Sequence, residues 1–180
     1  MRFVPHIFDK SGNRIDVVIA PMKATDAART DAEPKWQTSW ASEFISSEAL
    51  DKYAVKLGDE LIALGAYEIL QSSVAVHIVY MEAHPESNPT IAGKNRKYSG
   101  IGRLLIAQGI KISIDNGLRG DVVLEAKTTE LAEHYERDFG AVKLPIFSAD
   151  ASRFLIADDA AKNIFFLLRK SIGSRSFFGR

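Results

Sequence analysis

The sequence predicts a mixed α/β fold, in which a mostly antiparallel sheet carries helices on its faces. Three segments that suit strands follow one another with only brief turns between them, at 52–57, 60–70 and 74–83. Such short connections are typical of an antiparallel meander. A long apolar helical pattern at 101–116 leads to a further strand at 121–126. Because a strand reached through a helix usually lies parallel to the strand before it, the sheet is expected to be mixed.

The composition is that of a soluble globular protein. Hydrophobic residues make up 46% and charged residues 26% of the 180 residues, enough for one domain with a substantial core. We predict that domain over residues 1–170. Residues 171–180 (SIGSRSFFGR) show no periodicity, and we expect them to form a mobile tail.

The charge balance and the cysteine count exclude several classes of function. Lys+Arg and Asp+Glu each total 23, so the chain has no overall attraction to nucleic acid or to an anionic membrane. The chain has no cysteine, which excludes disulfides, thiolate metal sites and a cysteine nucleophile. The N-terminal stretch lacks the apolar core of a signal peptide, and no apolar run approaches the roughly 20 residues of a membrane span. We therefore expect a cytoplasmic protein that does not bind membranes.

The first third of the chain is the least regular. Arg14–Ala20 (RIDVVIA) suits a short strand that Pro21 ends. Trp36 and Trp40 lie four residues apart in a polar stretch, the spacing that puts two side chains on one helical face. Residues 46–50 (SSEAL) are predicted to form a capped short turn.

The third meander strand is the most informative. Strict alternation along 74–83 places four side chains on one face of the sheet: Val76, Ile78, Tyr80 and Glu82. His77, Val79 and Met81 are then expected on the other face.

The second half alternates helices and strands. The 101–116 helix is expected to be largely buried, and a second helix is predicted over Thr129–Phe139, closed by Gly140. Residues 142–144 and 163–169 (NIFFLLR) are predicted as strands, with a short strand and a loop between them in 147–162.

The loop before the long helix has the features of an anion site. The first N–H groups of a helix have no intrahelical partner and carry the positive end of its dipole, so they hold anions well. Residues 97–103 (KYSGIGR) add glycines and cations, although a glycine-rich helix entry alone is more often structural. The GxxxxGK[ST] motif is absent, and GxGxxG fails because Leu105 stands at its third glycine.

The pattern Lys97-x-x-Gly100-x-Gly102 resembles the [Q/R]-x-x-G-x-[G/A] pyrophosphate loop of the GCN5-related N-acetyltransferases (GNAT). The order of elements over 52–169 is also similar to that family. The resemblance implies a sheet splayed between the family's fourth and fifth strands and acetyl-CoA as co-substrate. It implies coenzyme contacts from Met81, Lys97, Tyr98, Ser99, Gly100, Ile101, Gly102 and Arg103. Lys97 departs from the family's Gln or Arg but keeps the positive charge.

The same resemblance implies the catalytic groups. Glu82, at the end of the third strand, is the predicted proton acceptor for the attacking amine, and the alternative is a solvated strand-end charge. Glu68, Glu125 and His84 are weaker candidates. Tyr135 is the predicted acid for the leaving thiolate, and a packing role is equally open. Gly140 follows it by five residues, whereas the familiar Y-E-x-x-G spacing is four.

Other candidate residues favour structural roles. His77 is expected to be a core or interfacial histidine, and the four histidines show no ligand spacing, so no metal site is predicted. Ser99 is expected to hydrogen-bond within the loop. Trp36 and Trp40 either line an acceptor pocket or pack on the sheet.

Together these features predict an acetyl-CoA-dependent N-acetyltransferase that acts on an unidentified amine by direct attack. A non-catalytic acyl-CoA-binding or interaction module on the same fold is the alternative. An enzyme that acetylates charged transfer RNA is disfavoured by the neutral net charge, so nucleic acid is not an expected partner. A homodimer is left open.

Overall fold

The computed structural model describes residues 3–46, 49–69, 72, 74–145 and 152–169. Its strands are β1 (His6–Phe8), β2 (Arg14–Asp16), β3 (Val18–Pro21), β4 (Asp51–Leu57), β5 (Glu60–Glu68), β6 (Val76–Ala83), β7 (Val122–Ala126), β8 (Val142–Lys143) and β9 (Ser152–Ile156). Its α-helices are α1 (Ala24–Ala28), α2 (Glu43–Ser46), α3 (Pro89–Ala92), α4 (Ile101–Asp115), α5 (Thr129–Phe139) and α6 (Asp158–Leu167). The predicted tail, 171–180, lies outside the described residues.

Seven strands form one mixed sheet in the order β3-β4-β5-β6-β7-β9-β8, and β1 and β2 form a separate hairpin. Strands β3 to β6 pair antiparallel, as the meander predicted. Strand β7 lies parallel to β6, which confirms the inference from the helical crossover. Strands β9 and β8 complete the sheet antiparallel to their neighbours.

A β-bulge at Val79 changes which side chains of β6 share a face. Ala66 pairs with Tyr80 and Tyr67 pairs with Ile78, so Val79 has no partner on β5. Below the bulge, Val76 and Ile78 pack in the core beneath α4, with Ile78 close to Gly109. Above it, Met81 and Ala83 face that core, whereas Tyr80 and Glu82 face the tryptophans.

The predicted grouping of Val76, Ile78, Tyr80 and Glu82 on one face is therefore wrong. Strict alternation holds only in a regular strand, and one extra residue reverses the parity of everything after it. His77, below the bulge, lies on the same side of the sheet as Tyr80 and Glu82.

Each face of the sheet carries its own core. Helices α4, α5 and α6 cover one face, and α4 contributes most of its length to that core, as predicted. On the other face Trp36 and Trp40 are buried with Ile45 and Leu64. The tryptophans do not share a helical face, because α1 ends at Ala28 and a 3-10 turn ends at Asp31. Tertiary packing of two large rings, rather than helical periodicity, explains their burial.

The predicted strand at 163–169 is wrong, because residues 163–167 belong to α6 and Leu168 caps it. An apolar run such as IFFLL fits a buried strand or a buried helix equally well. The residues that decide are Ala161, Ile164 and Leu168, which are buried at spacings of three and four. The strand expected within 147–162 is β9, although 146–151 lie outside the described residues.

The N-terminal segment joins α6 to the start of α4. Val4 N–H donates to the Leu168 carbonyl at 2.7 Å, and the Phe3 ring stacks on Phe165 with centroids 5.4 Å apart. Further along, Phe8 and Ser99 form an isolated antiparallel bridge. The predicted strand 14–20 is in fact two strands in different sheets, since β2 pairs with β1 and β3 with β4.

Candidate functional site

The sheet forks between β6 and β7. Their pairing comprises Val76 with Val122, His77 with Val123 and Ile78 with Leu124. Strand β6 continues to Ala83 and β7 to Ala126 without further pairing between them in the described chain. The bulge at Val79 lies immediately above the last pair, and the increased twist of a bulge separates strands in this way. A ligand with amide groups could pair with the open edge of β6.

The backbone donors of the loop before α4 divide into two groups. Those of Lys97, Tyr98 and Ser99 are used within the protein. They donate to the Glu86 carbonyl at 2.8 Å, to Ser87 Oγ at 3.1 Å and to the Phe8 carbonyl at 2.9 Å. These three N–H groups therefore shape the loop and are not available to a ligand.

The next four N–H groups, of residues 100–103, meet no acceptor among the described residues. They belong to the first turn of a 15-residue helix, where the helix dipole adds positive potential. Gly100 caps the helix in the left-handed region with φ 81°, a conformation that glycine adopts without steric cost. A Cβ added to Gly102 would meet nothing within 4 Å. The arrangement leaves convergent donors beside open space, as an anion requires.

The Lys97 side chain is engaged within the protein by Glu60. Its Nζ lies 2.6 Å from Glu60 Oε1, and the Tyr98 hydroxyl donates to Glu60 Oε2 at 3.2 Å. The hydrogen bond to Glu60 holds the pKa of Lys97 above its usual value. Glu60 is 37 residues from Lys97 in the sequence, and sequence patterning gave no signal that would have identified it.

Arg103 faces α5 and α6. Its guanidinium lies 5.7 Å from the centroid of the Phe139 ring, over its face, and its buried Nε has no partner among the described residues. A cavity of about 330 Å³ adjoins it, lined also by Asp138, Asn163 and Leu167. Arg103 thus supplies a cation from the same first helical turn that carries the free N–H groups.

Glu82 is buried and accepts two hydrogen bonds. Oε1 accepts from the Gln37 N–H at 2.6 Å and Oε2 from the Trp40 Nε1–H at 2.9 Å. The Gln37 side chain in turn accepts from Asn88 Nδ2 at 3.1 Å. Glu82 is 8% exposed, so it is not the solvated strand-end charge that was its alternative. It fixes the loop that follows the 3-10 turn against β6.

Tyr135 lies on the opposite face of the sheet from Glu82. It is buried against Phe139 and Phe154, with ring centroids 6.3 and 6.0 Å away. Burial raises the pKa of Tyr135 to about 12, so the hydroxyl carries its proton at neutral pH. Gly140 ends α5 in the left-handed conformation. The five-residue spacing from Tyr135 to Gly140 is therefore accommodated in a regular helix end.

Within the described ranges, no group of three or more His, Asp or Glu side chains is arranged to hold a metal ion. None of the helices described is long and apolar enough to cross a bilayer. The absence of a metal from any reaction stays a prediction.

Solved structures match this architecture over most of the chain. The GNAT domain of S. lividans PAT aligns with a TM-score of 0.56 and 13% identity, covering 84% of this chain and 95% of that one. The chain has the fold of the GCN5-related N-acetyltransferases. This GNAT fold is matched also by the PaiA N-acetyltransferase of Thermoplasma acidophilum in complex with coenzyme A, with a TM-score of 0.55 and 11% identity, covering 80% of this chain and all (100%) of that one.

A third GNAT structure, the ribosomal-protein-S18-alanine N-acetyltransferase from Escherichia coli, aligns with a TM-score of 0.54 and 13% identity, covering 79% of this chain and 95% of that one. No protein-family model matches the sequence. No curated protein matches it either. The likeness therefore lies in the fold. The family resemblance implied a sheet splayed between its fourth and fifth strands, and this splay corresponds to the fork between β6 and β7.

Proposed function

We propose that the protein is an acetyl-CoA-dependent N-acetyltransferase. The observation that carries the proposal is that the fork opens toward the end of β6, where residues 86 and 87 anchor the loop that leads to the unpaired N–H groups of residues 100–103. The fork offers the backbone groups of the β6 edge to an extended, amide-containing chain. The start of α4 offers N–H donors to a diphosphate. Acetyl-CoA has both parts. Coenzyme A or acetyl-CoA bound in neighbours of the same fold supports this assignment.

The coenzyme would be held mainly from the backbone. In this proposal the pyrophosphate lies on the N–H groups of Gly100, Ile101 and Gly102, with Arg103 adding positive charge. The pantetheine arm follows the open edge of β6 at Met81. Lys97, Tyr98 and Ser99 stay predicted coenzyme contacts. Because their N–H groups are bonded within the protein, they would act through side chains or by fixing the shape of the loop.

The chemistry proposed is direct attack of an amine on the thioester. Backbone N–H groups between Val79 and Ala83 would polarise the carbonyl, as an oxyanion hole does. Tyr135 would protonate the departing thiolate, and its raised pKa keeps that proton in place. Glu82 stays the sequence prediction for the proton acceptor. For that role it would have to exchange one of its two hydrogen bonds for water or for the amine.

The second candidate function is a non-catalytic acyl-CoA-binding module. The observation in its favour is that both oxygens of Glu82 already accept hydrogen bonds from the Gln37–Trp40 loop. A carboxylate engaged in this way serves positioning as readily as proton transfer. Such a module would bind acetyl-CoA without releasing thiol in the presence of any amine.

One experiment separates the two candidates. Acetyl-CoA binding is measured by calorimetry, and thiol release is then followed with polyamines, aminoglycosides, amino acids and peptides as acceptors. Binding with amine-dependent thiol release supports the enzyme, and binding alone supports the module. Gly102→Asp places a carboxylate among the unpaired donors and should abolish binding, whereas the matched Gly102→Ala should retain it. Unchanged affinity in Gly102→Asp would contradict the assignment of the loop.

A further inference from the structure

On the face of the sheet opposite α4, His77 lies next to the fork. It pairs with Val123 one residue before the last β6–β7 pair. Because the bulge at Val79 follows, the His77 side chain shares its face with Tyr80 and Glu82. This face of β6, β7 and β9 carries Glu125 and Arg153 beside the apolar Val123, and helices α4 to α6 pack on the other face. An acceptor that approached from here would reach the fork without crossing the coenzyme.

The imidazole of His77 is oriented by a carboxylate. Its Nδ1 lies 3.3 Å from Glu68 Oε2 on β5. When Nδ1 carries the proton, Nε2 is left with a lone pair. Glu125 on β7 is the nearby carboxylate, and its Oε1 lies 3.9 Å from Nε2, beyond hydrogen-bond distance.

Glu125 is itself engaged. Its Oε1 accepts from Arg153 Nη2 at 2.6 Å and from Arg153 Nε at 3.1 Å. Among the residues that the structure describes, the charged groups that face His77 are therefore Glu68 from β5, Glu125 from β7 and Arg153 from β9. A cavity of about 460 Å³ is lined by His77, Glu68, Arg153 and Val123 and, toward the β5–β6 turn, by Ser72, Val74 and Ala75, which is room for a small molecule. His77 therefore borders accessible space on the paired side of the fork.

We propose that His77, oriented by Glu68, accepts the proton of the acceptor amine, which binds on this open face of the sheet. The proposal rests on the proposed acetyltransferase function and deepens it. It differs from the sequence prediction for Glu82, whose two oxygens already accept hydrogen bonds. His77 Nε2 makes no hydrogen bond to the described residues, so it needs to give up none to act.

The proposed step balances. The nitrogen lone pair of the amine forms a bond to the thioester carbonyl carbon, and His77 Nε2 takes one proton from that nitrogen. The carbon–sulfur bond then breaks, and the thiolate takes a proton from the Tyr135 hydroxyl. His77 then releases its proton to solvent, and Tyr135 takes up a proton from solvent. The products are an amide and coenzyme A with a free thiol.

The test compares three variants in thiol-release kinetics with the best amine of the panel. His77→Gln should lower kcat at least about 100-fold, the range expected for loss of a positioned base, while the KM for acetyl-CoA stays within about twofold. Wild-type turnover should rise with pH, and His77→Gln should not show that rise with the same amine. Glu68→Gln should give a smaller loss and a shifted pH profile. His134→Gln is the matched control, because His134 is also half-exposed and paired with a carboxylate, Asp138.

Added imidazole should restore part of the turnover of His77→Ala, which keeps the test informative if the glutamine variant folds poorly. Wild-type kcat in His77→Gln, or an unchanged pH profile, would overturn the assignment of His77 and leave the enzyme function standing. Failure of the wild-type protein to release thiol with any amine, despite binding acetyl-CoA, would instead overturn the enzyme function and this proposal with it.

Discussion

Glu82 and Trp40 are joined by a buried hydrogen bond in which the indole Nε1–H donates to Oε2 at 2.9 Å. They lie 42 residues apart in the sequence, and the bond ties the loop before α2 to the upper part of β6. Gln37 donates to the other oxygen of the same carboxylate. One side chain therefore fixes both the loop and the edge of the fork.

Replacing Glu82 by glutamine should destabilise the protein. A glutamine has one acceptor oxygen, so one of the two donors, on Gln37 or Trp40, would face an amide NH₂ and stay unsatisfied. An unsatisfied buried donor costs about 1–3 kcal/mol. Urea unfolding, with tryptophan emission as a second readout of the loop, measures the loss. Full stability in Glu82→Gln together with lost turnover would instead favour a purely catalytic role for this carboxylate.

Gly100 and Gly102 should respond differently to alanine. Gly100 has φ 81°, and an added Cβ would lie 3.2 Å from Phe8 Cδ2, so Gly100→Ala should cost about 1–2 kcal/mol from the left-handed backbone alone. Gly102 is helical with open space around it, and alanine there should be neutral or should gain up to about 1 kcal/mol. Thermal unfolding of both variants checks the contrast. Equal melting temperatures would show that the strain at Gly100 is absent.

Tyr135→Phe should lower turnover and leave coenzyme binding intact. If the hydroxyl is the acid for the thiolate, kcat should fall about 100-fold with the calorimetric affinity for acetyl-CoA unchanged. Because burial raises the pKa of Tyr135 to about 12, loss of its proton should cause no fall in wild-type turnover below about pH 11. An alkaline fall near pH 10 that Tyr135→Phe removes would contradict the buried position of this hydroxyl.

Asp26 should contribute stability that depends on pH. It is buried, lies 2.6 Å from Lys56 Nζ and accepts from the Lys23 N–H at 2.9 Å. Burial alone would raise its pKa, but the bonds to Lys56 and Lys23 outweigh burial and lower it. A lowered folded-state pKa gives stability that is present above the unfolded value of about 4 and lost as the pH falls through the folded value.

The matched variant is Asp26→Asn, which should be less stable than wild type at pH 7 by about 1–3 kcal/mol. The difference should shrink below about pH 4, where the wild-type carboxyl takes up its proton. Chemical denaturation at several pH values measures both curves. A difference that stays constant down to pH 2 would exclude the ion pair with Lys56 as its source.

Local patterns predicted the elements whose cause is local. The helix over Thr129–Phe139 has the predicted bounds, because Thr128 accepts from the Leu131 N–H and Gly140 ends the helix. The meander and the parallel strand β7 follow from short turns and from one helical crossover. In the candidate site, the glycine turn at the start of α4 could also be predicted from a local cause, because a left-handed helix cap favours glycine.

What the sequence did not predict depends on contacts between distant segments. The pairing of Phe8 with Ser99 joins residues more than 90 positions apart, and it uses an N–H group of the loop that the motif assigns to a ligand. In the same way, Lys97, which is the cation of the motif, is engaged within the protein by its ion pair with Glu60. Helix α6 was missed because an apolar run such as IFFLL fits a strand and a helix equally well, and its packing on α4 decides between them.

The extra residue at Val79 makes the length of β6 a stricter requirement than its composition. Val79 has no partner on β5, so other side chains could replace it without disturbing a pair. Its deletion would place Tyr80 directly after Ile78, so β6 would alternate strictly and pair regularly with β5. Tyr80 and Glu82 would still face the tryptophans, and Met81 would still face the core beneath α4. Substitution at this position should be well tolerated, whereas a single-codon deletion should keep the faces of β6 and remove the added twist that separates β6 from β7, so the fork depends on a count of residues rather than on their identity.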